Sequence, residues 1–361
     1  MNKIFVLTIC SFLAIATFSG CKKDNTSTVS QTGPKVLGLY EFKSDNYKRV
    51  FIGISKIGDK TVNYLSVFDT GSAGLTIDAA GILPESMITA DGLKFTGDSV
   101  VVNGITVTSK TAIMSYGDAT GLFKEYGNLA YTSVTIGDAN GSINIKRVPI
   151  FLYYKIKNIT TNTTLPPHSA DIFGVATGYS YAGSSIQSPL NYLKLDAGLK
   201  KGFKLALLNR NNFSTTSATF TAGLLSLGLT QEDISSSGFI MHPLSFNSQT
   251  GYAPVIPATI TYNGVSTAAQ VLFDTGNPQM TIIENKLETN SLGNLPANSV
   301  VNVTTNKGFS YTYTTSGTSN FTTIQNPDNS KDYRSIFSID FFIDNEYLTN
   351  YADNIIGLKN N

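Results

Sequence analysis

The sequence predicts an all-β protein made of two related halves, on three observations. Glycine, tyrosine, phenylalanine and threonine are plentiful and tryptophan is absent, a balance that favours strands over helices. Apolar stretches are short and separated by Gly or Asn, as in VFIGISKI, SVVVNGITVT, SINIKRVPIFLYYKI and PATITYNG. The tetrapeptide Phe-Asp-Thr-Gly occurs twice, once in each half of the 361-residue chain. Such a pattern indicates two β lobes with a cleft between them.

Composition narrows the class of protein. Apolar residues make up 41% of the chain, enough for a sizeable core, and charged residues only 14%, against about 25% in an average protein. The net charge of +1 indicates neither nucleic acid nor a strongly acidic partner. The length corresponds to one large or two medium domains.

One segment, PLNYLKLDAGLKKG, has a helical pattern. Leu190, Leu193 and Leu195 are its apolar positions, and Gly202 is a typical helix stop. We therefore expect a helix within the first half of the chain.

The N-terminal region is typical of a targeting segment. A basic start is followed by an apolar run up to residue 20 and then by Cys21, with Ser19 and Gly20 before it. This pattern resembles a bacterial lipoprotein signal, which predicts cleavage after residue 20 and a lipid-modified Cys21. A plain signal peptide or an anchor helix is the alternative. Residues 21–37 are predicted to form a polar tether.

Cysteine and histidine usage excludes several chemistries. Cys10 and Cys21 are the only cysteines, so the domain after the tether has no disulfide, no cysteine nucleophile and no cysteine-based metal site. His168 and His242 are the only histidines, and each is better explained as a surface or packing residue than as a catalyst. We expect no metal and no cofactor.

The two Phe-Asp-Thr-Gly turns carry the chemistry. VFDTGSAGLTI presents Asp69 and VLFDTGNPQMTII presents Asp274, each after an apolar run and before a glycine turn. One such triplet is expected by chance about 0.1 times in a chain of this length, and two in the same setting are rarer still. Two carboxyls brought close together share one proton, because like charges disfavour a second ionisation.

At these residues the sequence resembles the pepsin family of aspartic peptidases. IMSYGDATGLFKEYGNLAYTSVTIG resembles the family's flap hairpin, and ADIFGVATG resembles the segment that passes behind the first catalytic loop. The resemblance runs, with gaps, from about Tyr47 to Lys359. It implies a bilobal fold with an active-site cleft between an N-terminal catalytic lobe, residues 38–205, and a C-terminal catalytic lobe, residues 206–361.

The resemblance also implies an activity and its residues. Asp69 and Asp274 would activate a water molecule that hydrolyses a peptide bond. Thr70, Gly71, Ser72, Thr275, Gly276 and Asn277 would support the two loops, with Thr70 and Thr275 bonding across the lobes and Ser72 bonding Asp69. On the flap, Tyr116, Gly117 and Asp118 would contact substrate.

The sequence departs from the family pattern at four places. Asn277 replaces a Thr or Ser, and its amide is predicted to donate to Asp274. Ser338 or Ile339 replaces the glycine of the second segment behind the catalytic loops. Asp118 replaces a threonine and makes the flap tip more acidic, and Thr76 stands about where a tryptophan often supports the flap tyrosine.

These observations predict an aspartic endopeptidase attached by lipid to a bacterial envelope. We expect the outer membrane, on its periplasmic or surface face, a monomer, and a peptide or protein as substrate. The alternative is an inactive pepsin-like lipoprotein that binds peptide or protein without cutting it, which the changes at Asn277 and the missing glycine motivate.

Overall fold

The computed structural model describes residues 33–118, 121–180, 182–289 and 293–361. The predicted signal, Cys21 and most of the predicted tether lie outside these residues. Within them, Gly33–Asn361 forms one compact unit.

Strands dominate the described residues. They are β1 (Lys35–Ser44), β2 (Tyr47–Ile57), β3 (Lys60–Asp69), β4 (Ala73–Asp78), β5 (Ile88–Thr89), β6 (Gly92–Leu93), β7 (Ser99–Val102), β8 (Ile105–Asp118), β9 (Gly121–Asp138), β10 (Gly141–Asn158), β11 (Thr163–Thr164), β12 (Ile172–Val175), β13 (Lys200–Leu205), β14 (Thr219–Leu229), β15 (Ile240–Pro243), β16 (Val255–Tyr262), β17 (Val265–Phe273), β18 (Met280–Glu284), β19 (Gly293–Asn294), β20 (Val300–Thr305), β21 (Ser310–Thr314), β22 (Phe321–Gln325), β23 (Arg334–Phe337), β24 (Asn345–Asn350) and β25 (Ile355–Asn360).

Helices in the same residues are short. They comprise α1 (Gln231–Ser235), α2 (Pro327–Ser330), α3 (Phe341–Asp344) and 3₁₀ turns at Glu85–Met87, Pro189–Tyr192 and Arg210–Asn212. Since the longest of these helices has five residues, none is of a length and hydropathy to cross a membrane.

The strands form two main sheets. The larger has the order β15-β25-β24-β13-β14-β1-β2-β3-β12-β4-β10-β9-β8-β7, with β11 beside β10. The smaller has the order β19-β22-β18-β23-β17-β16-β20-β21, and β5 pairs with β6 alone. The larger sheet thus combines strands of the first 175 residues with five strands that come after residue 199, namely β13, β14, β15, β24 and β25.

Local sequence explains the hairpins. Asn103-Gly104 joins β7 to β8 and Asn263-Gly264 joins β16 to β17, and all four residues have positive φ. Asn-Gly is favoured in such two-residue turns because both residues tolerate that conformation. In β16, buried and exposed residues alternate, so that Ile256 and Ile260 point into the core.

The predicted helix over PLNYLKLDAGLKKG is wrong. Only Pro189–Tyr192 is helical, as a 3₁₀ turn, and the backbone at Leu193 is already extended. Leu190 and Leu193 are buried, as a core-facing helix would have them, but Leu193 already lies in an irregular segment. Gly202 does not stop a helix: it lies in β13, where a Cβ would come within 2.3 Å of the Thr349 carbonyl oxygen of β24.

Candidate active site

The first Asp-Thr-Gly turn connects β3 to β4 and surrounds Asp69 with donors. Asp69 Oδ1 accepts hydrogen bonds from the backbone N–H groups of Gly71, at 2.7 Å, and Ser72, at 3.1 Å. Asp69 Oδ2 accepts one from Ser72 Oγ at 2.5 Å. Hydrogen bonds donated to a carboxylate favour its ionised form. The first turn thus gives the Asp69 carboxyl three donors.

The second turn follows β17 and gives Asp274 fewer donors. Asp274 Oδ1 accepts from the Gly276 N–H at 2.7 Å. The Asn277 amide donates to the Met280 carbonyl oxygen at 2.7 Å, so the prediction that it donates to Asp274 is wrong. Burial, then the charge of Asp69 and a hydrogen bond between the two carboxyls, raise the pKa of Asp274 well above 3.8.

The two turns interlock through their threonines, which are almost fully buried. Thr70 Oγ1 donates to the Phe273 carbonyl oxygen at 2.9 Å, and Thr275 Oγ1 donates to the Phe68 carbonyl oxygen at 2.6 Å. Each hydroxyl also accepts the other threonine's N–H at 3.0 Å. These four reciprocal bonds fix the separation of the two loops.

The glycines allow the carboxyls to meet. A Cβ on Gly71 would lie 2.4 Å from Asp274 Cγ, and a Cβ on Gly276 would lie 2.7 Å from Asp69 Cγ. Each carboxyl thus packs against the glycine of the opposite turn. Any larger residue at either position would push the pair apart.

The segments behind the two loops differ. β12 pairs in parallel with β3, with Gly174 opposite Asp69. β23 pairs in the same way with β17, with Phe337 opposite Phe273, so that Ser338 takes the place of the glycine. Ser338 is buried, and its hydroxyl has no hydrogen-bond partner among the described residues.

The flap is the β8–β9 hairpin, in which Tyr116 pairs with Phe123 and Gly117 with Leu122. The Tyr116 hydroxyl donates to Glu125 Oε1 at 2.8 Å, and its ring stacks on Phe123. Burial and the Glu125 carboxyl raise the pKa of Tyr116. The Asp118 side chain and the turn at residues 119 and 120 lie outside the described part.

Sequence reasoning missed two residues at this site. Arg49, in β2, donates from Nη1 to the carbonyl oxygen of Gly276, in the second turn. Its charge opposes the rise in the pKa of Tyr116, as expected of a cation near the flap. Glu125 was missed as well. Lys124 and Glu125 are adjacent in one strand, and because successive side chains point to opposite faces of a sheet, one of the two charged side chains must face inward.

A cleft of about 600 Å³ adjoins the first turn. The residues that line it include Gly71, Ser72, Tyr179, Thr250 and Arg334. Its walls therefore come from both halves of the chain, as the predicted cleft between lobes requires.

No protein-family model matches the chain, and no curated protein matches its sequence. Among solved structures, the chain is similar to the aspartic proteinase from Irpex lacteus, with 15% identity and a TM-score of 0.55. The match covers 90% of this chain and 97% of that chain. The protein has an all-β, bilobal, pepsin-like aspartic proteinase fold, and the predicted fold class is confirmed.

Proposed function

We propose that this protein is an aspartic endopeptidase that hydrolyses peptide bonds with a water molecule activated between Asp69 and Asp274. The asymmetry of the two carboxyls is the observation that supports it most. Asp69 accepts three hydrogen bonds, whereas Asp274 has a strongly raised pKa. One ionised and one protonated carboxyl are what acid–base hydrolysis needs.

The roles of the two carboxyls as base and acid follow from this asymmetry. Asp69, ionised, accepts a proton from the water as its oxygen attacks the carbonyl carbon of the peptide bond. Asp274, protonated, donates a hydrogen bond to the carbonyl oxygen, and its proton is available to the leaving nitrogen. Because the pair shares one proton, the rate should fall toward neutral pH as that proton is lost.

An extended peptide is the substrate that suits the cleft. The flap hairpin and the walls of the cleft offer backbone groups with which a substrate strand can pair. We further propose that acyl chains on Cys21 anchor the enzyme to the envelope, because two acyl chains give stable membrane attachment without a spanning helix.

A peptide-library digest tests the activity. We expect the wild-type protein to cleave at acidic pH, and a pepstatin-type transition-state analogue to block cleavage. Asp69→Asn and Asp274→Asn should each abolish turnover and leave the fold intact, whereas Asp98→Asn, at an exposed carboxyl, should cleave normally. Appreciable turnover in either dyad variant would refute the mechanism.

A pepsin-like lipoprotein that binds peptide without cutting it is the second candidate. It is favoured by the Asn277 amide, which is bonded to Met280 and gives Asp274 no support, and by Ser338 in place of glycine. If the protein only binds peptide, the wild type should retain some peptides of the library, and no cleavage products should form at any pH. Detection of products that require both aspartates would exclude it.

A further inference from the structure

A buried carboxyl lies beneath the flap tyrosine. Glu125, in β9, is 0% exposed. Its Oε1 accepts from the Tyr116 hydroxyl at 2.8 Å and from Thr76 Oγ1 at 3.3 Å. Its Oε2 is also buried, without a hydrogen-bond partner in the described part of the chain. Glu125 thus joins the flap strand β8 to β4, the strand that begins just after the first catalytic turn.

The surroundings of Glu125 keep it neutral in acid. Asp78, at the end of β4, and Asp171, just before β12, are near enough for their charges to act on it. The Tyr153 hydroxyl, from β10, donates to Asp171, and His168 is paired with the same aspartate. Burial is the largest influence, and together with the two aspartates it raises the pKa of Glu125 to about 8. Oε1 already accepts two hydrogen bonds, so Oε2 is the oxygen available to carry a proton.

The Tyr116 hydroxyl has few other partners. The Ala170 carbonyl oxygen lies 3.4 Å away, at the edge of hydrogen-bond distance. Tyr116 is half-buried, and its ring packs on Phe123 with the centroids 6.1 Å apart. Removing Glu125 would therefore leave the hydroxyl with only a weak acceptor, and the ring free to reorient.

We propose that Glu125 is a positioning residue, which fixes the Tyr116 ring on the flap by linking the flap strand β8 to β4, the strand that follows Asp69. This inference rests on the proposed peptidase function. It assigns to a carboxyl the task of supporting the flap tyrosine, at a site where the sequence offers Thr76 and no tryptophan.

Substitutions at Glu125 test this role through peptide cleavage at acidic pH. Glu125→Leu removes the acceptor and should raise KM about tenfold with a smaller change in kcat, because the Tyr116 hydroxyl loses its main hydrogen-bond partner. Glu125→Gln preserves an acceptor oxygen and should stay within about threefold of wild type. An equal loss in the Leu and Gln variants would overturn the proposal.

A double-mutant cycle separates positioning from general stability. In the Tyr116→Phe background, Glu125→Leu should change KM by much less than it does in the wild-type background, because the Tyr116 hydroxyl that Glu125 binds is already absent. Glu41→Leu is the matched control: Glu41 is also 0% exposed, and Thr221 Oγ1 binds one of its carboxyl oxygens. Its effect should be the same in both backgrounds. Additivity of the Glu125 and Tyr116 changes would overturn the proposal.

An infrared measurement gives an answer that does not depend on cleavage. The difference spectrum of wild type minus Glu125→Gln at pH 6 should contain a protonated-carboxyl C=O band, which disappears with a midpoint near pH 8. Tyr116→Phe should shift that band. If no peptide is cleaved but the band shifts, the peptidase function fails while the Glu125–Tyr116 contact stands. An unshifted band overturns the contact itself.

Discussion

At the scale of single residues, the two aspartates of one repeated tetrapeptide differ in their surroundings. Ser72 follows the first triplet and donates its hydroxyl to Asp69, whereas Asn277 follows the second and bonds Met280. The difference of one residue type thus leaves Asp274 with less support for a negative charge. Burial, the charge of Asp69 and this smaller number of donors are consistent in direction with the raised pKa of Asp274.

Asp274→Asn should change the pH dependence of stability. The pKa of Asp274 is raised above 3.8 in the folded protein, so the fold retains a proton that the unfolded chain releases. This contribution to stability is lost as pH rises above about 4. The free energy of unfolding of Asp274→Asn, relative to wild type, should therefore increase between pH 4 and pH 7 in urea titrations. Parallel curves for the two proteins would contradict the raised pKa.

At the scale of elements, the two turns are held together by reciprocal threonine bonds. Thr70→Val removes a donor to the Phe273 carbonyl oxygen and an acceptor for the Thr275 N–H. We expect a loss of about 2 kcal/mol in the free energy of unfolding, because buried backbone groups are left without partners.

Thr275→Val should lower the free energy of unfolding by a similar amount. The double variant should lose less than the sum of the two single losses, because the two residues share their hydrogen bonds. Urea unfolding of the three variants measures this coupling. Strict additivity would show that the two halves of the interlock act independently.

The segments behind the loops should respond in opposite ways to substitution. Gly174→Ala would place a Cβ 2.7 Å from the Ser72 carbonyl oxygen, so we expect a loss of about 3 kcal/mol or more. Ser338→Gly removes a buried hydroxyl without a partner in the described residues, which offsets the backbone entropy that glycine adds. Its stability should stay within about 1 kcal/mol of wild type in thermal or urea unfolding. A severe loss in Ser338→Gly would show that this serine has a structural task.

Local chemistry explains what the sequence could predict. The hairpins at Asn103-Gly104 and Asn263-Gly264 follow from residues that favour positive φ, and the paired turns follow from a repeated tetrapeptide. Such features need no knowledge of distant parts of the chain.

What could not be predicted depends on contacts distant in sequence. Leu190 and Leu193 have helical spacing, but an irregular segment can bury them equally well. Gly202 is needed because β24 passes too close for a side chain at that position. The amide of Asn277 had two possible acceptors, and only the local backbone decides between them. Glu125 is explained by Tyr116 on the neighbouring strand, a partner that a single strand does not reveal.

At the scale of the whole molecule, attachment to the envelope is a separate question from the fold. Cys21→Ser should move the protein from the membrane fraction to the soluble fraction, because the acyl chains supply its proposed apolar attachment. Immunodetection after cell fractionation measures this, with Asp69→Asn as a control that should remain with the membrane. A serine variant that still sediments with membranes would show another means of attachment.

The order of the larger sheet has a consequence for biosynthesis. β13 pairs on one side with β14 and on the other with β24, and β24 in turn pairs with β25, which ends at Asn360. A growing polypeptide therefore leaves an edge of β13 open until β24 has been made. Pairings so distant in sequence form slowly. The larger sheet is therefore completed late in folding, and β13 keeps an unpaired edge until then.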